Sequence, residues 1–430
     1  MSAMDLLSMA GVALIAFLLT SVVVRTWPEW QRRWALAALA FHAVCCLAQV
    51  GITRFVYRGG DIDLYFRFGL ENAELILQDP GRYAPELFAL IAQQSSSLVG
   101  FGSGTTSSMV GLVTLSLFPT FFSFMGACML FGVLSFSGKL ALFKSLERFV
   151  HPIVRRRLFF ACLFIPSMVF WSSAIMKESV AMCTLGWIMW ASVSFWLGRR
   201  SPLVIAVGVG SIWLLSMIKA YVVLAWAVAV GVWFVWWSLL RRGQGVEALI
   251  KKPLYLILGA VGTVGLVVAV GEIAPRYSAT SLLDEAAYLQ EVGQQVAGGS
   301  HIQGTLDLSS SGGRVQAIPL ALITSLFRPF IFEAHNAVAL VNALETTGVL
   351  CLFIFVLARR GIVQTAKTVL KTPALMFCVT FTVIFAIGVG ISTTNLGTMS
   401  RYRVPMLPFY FATLLLLYPV ARARVMPAQA

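Results

Sequence analysis

Residues 4–24 read MDLLSMAGVALIAFLLTSVVV, an apolar run that contains a single charged residue, Asp5. A helix needs roughly 20 such residues to cross the hydrocarbon core of a bilayer. The segment that follows contains Arg25, Trp27 and Arg32, which is typical of the flank of a retained membrane helix. A cleaved signal peptide usually has basic residues before its apolar run. No basic residue precedes the run here. We therefore expect a membrane-spanning helix here.

The composition of the whole chain supports the same interpretation. Of its 430 residues, 59% are hydrophobic and 12% are charged, whereas soluble proteins average about 45–50% apolar and about 25% charged residues. This surplus excludes a soluble enzyme, a disordered chain and a secreted disulfide scaffold. The pattern predicts an all-α, polytopic integral membrane protein with about eleven spans in a single transmembrane domain, residues 1–430. The predicted spans are 4–24, 34–52, 118–137, 158–175, 179–197, 202–218, 220–240, 253–272, 336–358, 373–391 and 404–421.

The net charge of +14 is explained by membrane orientation and does not require a nucleic-acid partner. Lys and Arg mark the cytoplasmic ends of membrane helices. If the N-terminus lies outside and the C-terminus in the cytoplasm, most of the 32 basic residues fall on the cytoplasmic side, against only Glu29, Glu147 and Glu247 of the 18 acids. The basic residues expected there are Arg25, Arg32, Arg33, Lys139, Lys144, Arg148, Arg155, Arg156, Arg157, Arg199, Arg200, Arg241, Arg242, Lys251, Lys252, Arg359, Arg360, Lys367, Lys371, Arg422 and Arg424.

Two long extracytoplasmic segments, 53–117 and 271–335, separate these spans. In the first, apolar and charged residues alternate at helical spacing over 61–90, which predicts one or two amphipathic helices on the membrane surface, broken by the turn residues at 79–81. In the second, an apolar stretch over 318–332 is interrupted by proline and arginine. We expect a re-entrant or interfacial helix there, because irregular backbone at membrane depth must be buried in protein or line a cavity.

Five basic residues fall near outer helix ends, where the positive-inside tendency does not expect them. Ionisable groups at membrane depth are costly, and they indicate a functional site by default. The alternative is that they snorkel to the surface or pair locally, Lys177 with Glu178 or Arg328 with Glu333. If they converge on one face of a helical bundle, they suit an anionic ligand such as a phosphate. The five are Lys177, Lys219, Arg328, Arg401 and Arg403.

Acidic residues and a histidine accompany these cations. Asp61 and Asp63 could coordinate a divalent cation together with a phosphate, or one of them could act as a general base on a sugar hydroxyl. The alternative is that they cap the orphan amides of a helix N-terminus. His335, beside Glu333, is a second candidate for the base, against the alternative of a histidine hydrogen-bonded to backbone.

Four short motifs carry a resemblance to a known class of protein. They are GGDIDLY at 59–65, PSMVFWSSAIMKE at 166–178, FRPFIFE at 327–333 and RYRVP at 401–405. In this combination they are similar to bacterial repeat-unit polymerases of the Wzy and O-antigen polymerase type. The resemblance implies about ten to twelve transmembrane helices in the bacterial inner membrane and a large outer loop. It also implies an undecaprenyl-pyrophosphate-linked glycan as donor, cofactor-free and metal-independent glycosyl transfer on the periplasmic face, and a flippase and a chain-length regulator as partners.

The same resemblance implies a division of roles. The five outer cations would hold the pyrophosphate leaving group, and Asp61, Asp63, Glu178 or His335 would activate the acceptor hydroxyl. Departure of a pyrophosphate builds negative charge, which fixed cations stabilise most where water is excluded.

Two other functions remain open. A membrane glycosyltransferase of the GT-C type, which uses a polyprenyl-phosphate sugar, resembles the chain in its acidic first outer loop. A transporter of a lipid-linked glycan would need charged groups near the bilayer midplane, and the predicted spans are nearly free of them.

Overall fold

The computed structural model describes residues 2–100, 104–241, 311–393 and 395–419. These residues form helices and contain no β-strand, which confirms the all-α class. The predicted span 253–272 and most of the second extracytoplasmic segment lie outside the described residues. The helices are α1 (Ala3–Val24), α2 (Glu29–Gly51), α3 (Asp61–Gln78), α4 (Pro80–Ile91), α5 (Gly104–Leu117), α6 (Phe124–Leu146), α7 (Arg155–Leu163), α8 (Pro166–Trp171), α9 (Lys177–Trp196), α10 (Pro202–Arg241), α11 (Ser311–Phe327), α12 (Ala337–Arg360), α13 (Ile362–Lys371), α14 (Pro373–Ser392), α15 (Leu396–Tyr402) and α16 (Leu407–Leu417).

Among the described residues, seven helices are long and apolar enough to cross a membrane. Several helices of this kind in one chain indicate a membrane protein, as the composition predicts. The total of eleven spans and the orientation of the chain stay predictions. The seven are Ala3–Val24, Glu29–Val56, Phe124–Phe149, Lys177–Trp196, Pro202–Trp237, Ala337–Arg360 and Pro373–Ser392.

The predicted span 158–175 does not form one helix. Instead, α7 ends at Leu163, α8 begins with Pro166 at its first position, and the chain leaves the helix after Trp171. Proline has no N–H to donate and fits only the first turn of a helix, so it separates the two elements. Neither helix is long enough to span a bilayer alone.

The predicted span 118–137 is shifted along the chain. Phe121 and Phe122 both have positive φ, at 54° and 57°. A right-handed helix requires negative φ, so these two residues interrupt the helix. The Ser123 hydroxyl then caps α6 by accepting the Gly126 amide at 3.0 Å. The helix therefore starts at Phe124 and continues past residue 137, so that Lys139 lies inside it.

The predicted spans 202–218 and 220–240 form one interrupted helix. Within α10, Lys219 alone has non-helical dihedral angles, φ −148° and ψ 77°. No polar turn residues flank this lysine, which explains why a kink replaces a loop. The candidate span Pro202–Trp237 has 36 residues, about 54 Å of helix against a hydrocarbon core of about 30 Å.

The helices of the first extracytoplasmic segment match their prediction. The chain forms α3 and α4 and breaks between them at Asp79, whose carboxylate accepts the Arg82 amide at 3.1 Å and so caps α4. Similarly, α11 ends at Phe327, immediately before Arg328 and Pro329, because the residue before a proline avoids helical conformation. Placement of these helices on the membrane surface stays a prediction.

The chain divides into two compact units. Unit 1 comprises Met1–Arg148, Cys162–Trp226 and Ser400–Pro408, and unit 2 comprises Phe149–Ala161, Ala227–Met399 and Phe409–Ala430. In unit 1, α6 packs most extensively against α9 and also contacts α1 and α2, while α3 packs against α5. In unit 2, α11 packs against α14, and the rings of Phe377, Phe381 and Phe409 contact one another with centroids 4.6–6.0 Å apart.

Candidate functional site

Five of the predicted site residues come together in unit 1, and we call them the charged cluster. Asp61 is the first residue of α3, Lys177 and Glu178 begin α9, Lys219 occupies the kink of α10, and Arg401 lies in α15. Four helices thus contribute side chains to one place, and three of the five predicted cations are among them. Asp61 and Arg401 are separated by 340 positions along the chain.

The most deeply buried part of the charged cluster is an ion pair. Lys219 Nζ lies 2.7 Å from Glu178 Oε1, and these side chains are 4% and 2% exposed. Glu178 lies in the first turn of α9, where the helix dipole favours a negative charge. The kink at Lys219 brings its ammonium group to this carboxylate, and the ring of Tyr402 lies 5.0 Å from the same nitrogen. The local pairing of Glu178 with Lys177 that the sequence left open is thus replaced by a pair with Lys219.

Arg401 connects the buried ion pair to a more open part of the charged cluster. Its Nη1 donates to Asp61 Oδ2 at 2.7 Å, and its Nε lies 3.6 Å from Glu178 Oε1. The side chain of Asp61 is 42% exposed, whereas that of Glu178 is almost fully buried. Asp61 is therefore the carboxylate of the cluster that an incoming molecule can reach.

The surroundings of Arg401 keep the neighbouring groups in defined protonation states. Burial lowers the pKa of Arg401, but the carboxylates of Glu178 and Asp61 raise it by more, so the guanidinium stays charged. Burial, and after it the negative charge of Asp61, raises the pKa of Tyr65. Burial also raises the pKa of Tyr402. Both phenols therefore keep their protons at neutral pH and can donate hydrogen bonds.

Lys177 differs from the other two cations of the cluster in its partners. Its Nζ donates to the hydroxyls of Thr105 and Thr106 at 2.9 and 3.1 Å, in the first turn of α5. In the described part of the chain, no carboxylate lies within ion-pair distance of this nitrogen. With three cations and two carboxylates, the charged cluster carries one uncompensated positive charge, next to hydroxyl groups that also bind anions.

Asp63 lies outside the contacts of the cluster, although it is only two residues from Asp61. Its Oδ1 is 3.7 Å from Arg54 Nε, and the Arg54 guanidinium sits 4.0 Å from the Phe124 ring centroid. Residues two apart on a helix point in widely different directions, since each residue turns the helix by about 100°. The two aspartates are consequently not equivalent.

Arg328 and Glu333 form an ion pair within unit 2. Arg328 Nε lies 2.9 and 3.1 Å from the two Glu333 oxygens, and the Phe330 amide donates to Glu333 at 2.8 Å. Burial would raise the pKa of Glu333, but the hydrogen bonds from Arg328 and Phe330 and the nearby His335 lower it. For Arg328 the local pairing that the sequence left open is therefore present. Arg403, the remaining predicted cation, is fully buried in unit 1.

A second group of ionisable residues was missed by sequence reasoning. Lys139, expected at a cytoplasmic helix end, is 0% exposed inside α6. Its Nζ donates to Ser172 Oγ at 2.7 Å and lies 3.0 Å from His42 Nε2. His42 Nδ1 lies 2.7 Å from the Ala38 carbonyl, so Nδ1 is the donor and Nε2 accepts from the lysine. The apolar residues LALF at 140–143, which continue the run beyond Lys139, are the signal that could have placed it inside the helix.

The described residues contain no group of three His, Cys, Asp or Glu side chains arranged to hold a metal ion. Asp61 and Asp63, the predicted candidates, each contact an arginine instead. What the charged cluster offers is donors for an anion, from Lys177, Arg401 and the threonine hydroxyls, beside one accessible carboxylate.

Comparisons of the chain with protein-family models, with characterised proteins and with solved structures give no match.

Proposed function

We propose that this chain is a membrane glycosyltransferase that acts on a polyprenyl-pyrophosphate-linked glycan, and more narrowly a repeat-unit polymerase of the bacterial inner membrane. The observation that carries the proposal is the charged cluster. It combines three cations with two carboxylates and leaves Lys177 with hydroxyl partners in place of a carboxylate. The motifs at 59–65, 166–178 and 401–405 that resemble such polymerases supply every residue of this cluster except Lys219.

The geometry supports a division of labour within the cluster. Lys177 and Arg401 would bind the pyrophosphate oxygens, because ammonium and guanidinium groups are strong donors to phosphate. Lys219 neutralises Glu178, and this ion pair would position the guanidinium of Arg401. Asp61 has the accessible carboxylate and would act as the general base.

The reaction then requires a single displacement. The acceptor hydroxyl oxygen forms a bond to the anomeric carbon of the donor sugar, and the bond between that carbon and the pyrophosphate oxygen breaks. The hydroxyl proton passes to Asp61, and the pyrophosphate departs with the bonding electrons. Fixed cations stabilise the charge that builds on the leaving group.

Binding of the carrier tests the proposal directly. The full chain in lipid nanodiscs should bind undecaprenyl pyrophosphate, and R401Q and K177Q should each weaken binding about tenfold or more, since a charge-assisted hydrogen bond contributes roughly 1.5–3 kcal/mol. R33Q is the matched control, because Arg33 is exposed and pairs with Glu29, one helical turn away and outside the charged cluster. Absence of binding, or equal losses in R33Q, would contradict the proposed function.

Asp61 and Asp63 provide a matched pair for the chemical step. In cells that depend on this chain for a surface polysaccharide, D61N should abolish elongation while carrier binding persists, with a rate loss of at least about 100-fold for a general base. D63N should cost far less, since its carboxylate pairs with Arg54 outside the cluster. Equal effects of the two changes would remove Asp61 from the role of base. Product length separates a polymerase from a GT-C-type transferase, which would add one sugar.

One observation favours a second candidate, a transporter of a lipid-linked glycan. Lys139 is a buried basic residue within a membrane-spanning helix, and such groups mark transport pathways in many membrane proteins. A K139M variant that loses transport of the lipid-linked glycan across the membrane would support this alternative.

A further inference from the structure

The short helix α13 connects two candidate membrane spans and has a surface of its own. The span Ala337–Arg360 ends immediately before it, and the span Pro373–Ser392 begins two residues after it. Its ten residues extend about 15 Å, half the thickness of the hydrocarbon core. A helix held in this way between two spans must lie at a membrane boundary.

The sequence of α13 gives it two different faces. Ile362, Val363, Ala366, Val369 and Leu370 recur at helical spacing on one side, and Lys367 and Lys371 lie on the other. No residue of α13 is buried, and the large apolar side chains at its N-terminal end are exposed, Ile362 at 75% and Val363 at 67%. Exposed branched apolar side chains beside a membrane span are suited to the acyl-chain boundary.

Basic side chains are concentrated on and next to α13, and the sequence from Thr346 onward contains no acidic residue. Lys367 and Lys371 are exposed, as is Arg359 at the end of α12. Arg360 Nη1 donates to the Thr368 hydroxyl at 3.0 Å and ties the two helices together. Glu345 is the last acidic residue of the sequence, so all charges from Thr346 onward are positive. The complement of such a surface is a dense layer of negative charge.

The orientation of α13 is fixed from within unit 2. It packs against both α12 and α14, and the indole of Trp236 donates to the Leu370 carbonyl at 2.6 Å. Gly361, with φ 75°, makes the turn that redirects the chain after α12. The helix therefore presents its faces in a set direction.

We propose that α13 is a peripheral helix that binds anionic phospholipid headgroups, with Ile362 and Val363 inserted at the acyl-chain boundary and Lys367, Lys371 and Arg359 on the phosphates. Each lysine near an anionic membrane surface contributes about 1 kcal/mol, roughly a fivefold factor in binding. This inference does not depend on the proposed glycosyl transfer.

Hydrogen exchange of the full chain in nanodiscs tests the proposal. Amides of residues 362–371 should exchange at least about threefold more slowly in discs of phosphatidylcholine with phosphatidylglycerol than in discs of phosphatidylcholine alone. K367Q/K371Q should abolish this difference. K367R/K371R, which keeps the charge, should retain it, and R199Q/R200Q, in another basic connection, should leave it unchanged.

The remaining outcomes would overturn the proposal. Equal exchange in the two kinds of disc would show that α13 does not recognise headgroup charge. A difference that persists in K367Q/K371Q would place recognition elsewhere. Inorganic phosphate added to phosphatidylcholine discs should give no protection, and protection by it would identify a site for a soluble anion.

Discussion

The carboxylates of the charged cluster differ in what their surroundings allow them to do. Glu178 is buried and held by Lys219, so removal of either partner leaves an uncompensated charge away from water. Asp61 is partly exposed and shares Arg401, and it can change partners when a substrate arrives. We interpret the first pair as a structural support and the second as the reactive part of the site.

This distinction predicts a pattern of stabilities. K219M should destabilise the folded chain by about 3–5 kcal/mol, which is the usual cost of leaving one charge of a buried ion pair without its partner. K219M/E178Q should recover much of that loss, because the buried charge is gone. Thermal unfolding of the purified protein would measure both. A double variant as unstable as the single one would show that Lys219 stabilises through packing alone.

The ion pair of unit 2 predicts a dependence on pH. The folded-state pKa of Glu333 is lowered, so its ion pair with Arg328 stabilises the protein above the ordinary Glu pKa of about 4.3 and loses that effect as pH falls further. E333Q should be less stable than the unaltered chain at pH 7, by about 1–3 kcal/mol. The difference should shrink below about pH 4.

E29Q is the control for this titration. Glu29 pairs with Arg33 on the surface, with side chains 63% and 75% exposed, and such pairs contribute little. Unfolding temperatures of E333Q, E29Q and the unaltered chain between pH 7 and pH 3.5 make the comparison. A constant gap for E333Q across this range would argue against the pair as its cause.

At the residue scale, the sequence singled out the three cations of the charged cluster together with Arg328 and Arg403, and it did not pair any of the three with its acid. Lys177, Lys219 and Arg401 stand out because they violate the positive-inside tendency. Which acid each cation meets depends on contacts between distant helices, such as Asp61 with Arg401, and no local pattern records them. Lys139 was missed because the predicted span ends at residue 137, whereas α6 continues to Leu146 and so contains Lys139 in its interior.

Helices α6 and α9 approach each other closely at a pair of glycines. A β-carbon on Gly186 would lie 1.8 Å from the Gly138 carbonyl oxygen, and one on Gly138 would lie 2.4 Å from the Met182 carbonyl oxygen. Small residues allow membrane helices to pack closely when no hydrophobic force draws them together. The same pair of helices carries Lys139 and Glu178, so their separation positions both ionisable groups.

A single methyl group should disturb this contact. G186A must push α6 away from α9 and should destabilise the protein by about 1–3 kcal/mol, the usual cost of overpacking. G348A is the matched control, since a β-carbon there meets nothing within 4 Å. Thermal unfolding would compare the two. A G186A protein as stable as G348A would show that the helices can separate without cost.

At the scale of helices and their ends, two breaks were readable from the sequence. A turn is predicted at 79–81, where α3 and α4 meet, and an interruption is predicted at Arg328 and Pro329, just before which α11 ends. The start of α6 was not readable, because it depends on positive φ at two phenylalanines that carry no turn signal. The kink at Lys219 was not readable either, since its neighbours favour helix on both sides.

For the whole molecule, the distribution of charge predicts the orientation of the chain in the membrane. The length of α10 leaves open whether the number of membrane crossings is even or odd. Arg199 and Arg200 precede α10, and Arg359 and Arg360 end α12. The sequence places both groups in the cytoplasm, which requires an even number of crossings between them. A single crossing by the interrupted helix Pro202–Arg241 would change that number by one.

Labelling of single introduced cysteines decides between these possibilities. In a background in which the exposed Cys351 is replaced, an impermeant maleimide applied from outside should label Q78C. It should reach S201C and Q364C only after the membrane is opened, because basic residues flank both positions. All three positions are exposed in the structure. Labelling of S201C and Q364C from opposite sides would show an odd number of crossings between them, which is the result expected if α10 crosses once and Lys219 lies within the bilayer and not at its outer boundary. In that case the charged cluster would line a site at membrane depth. That location favours transport over glycosyl transfer at the surface.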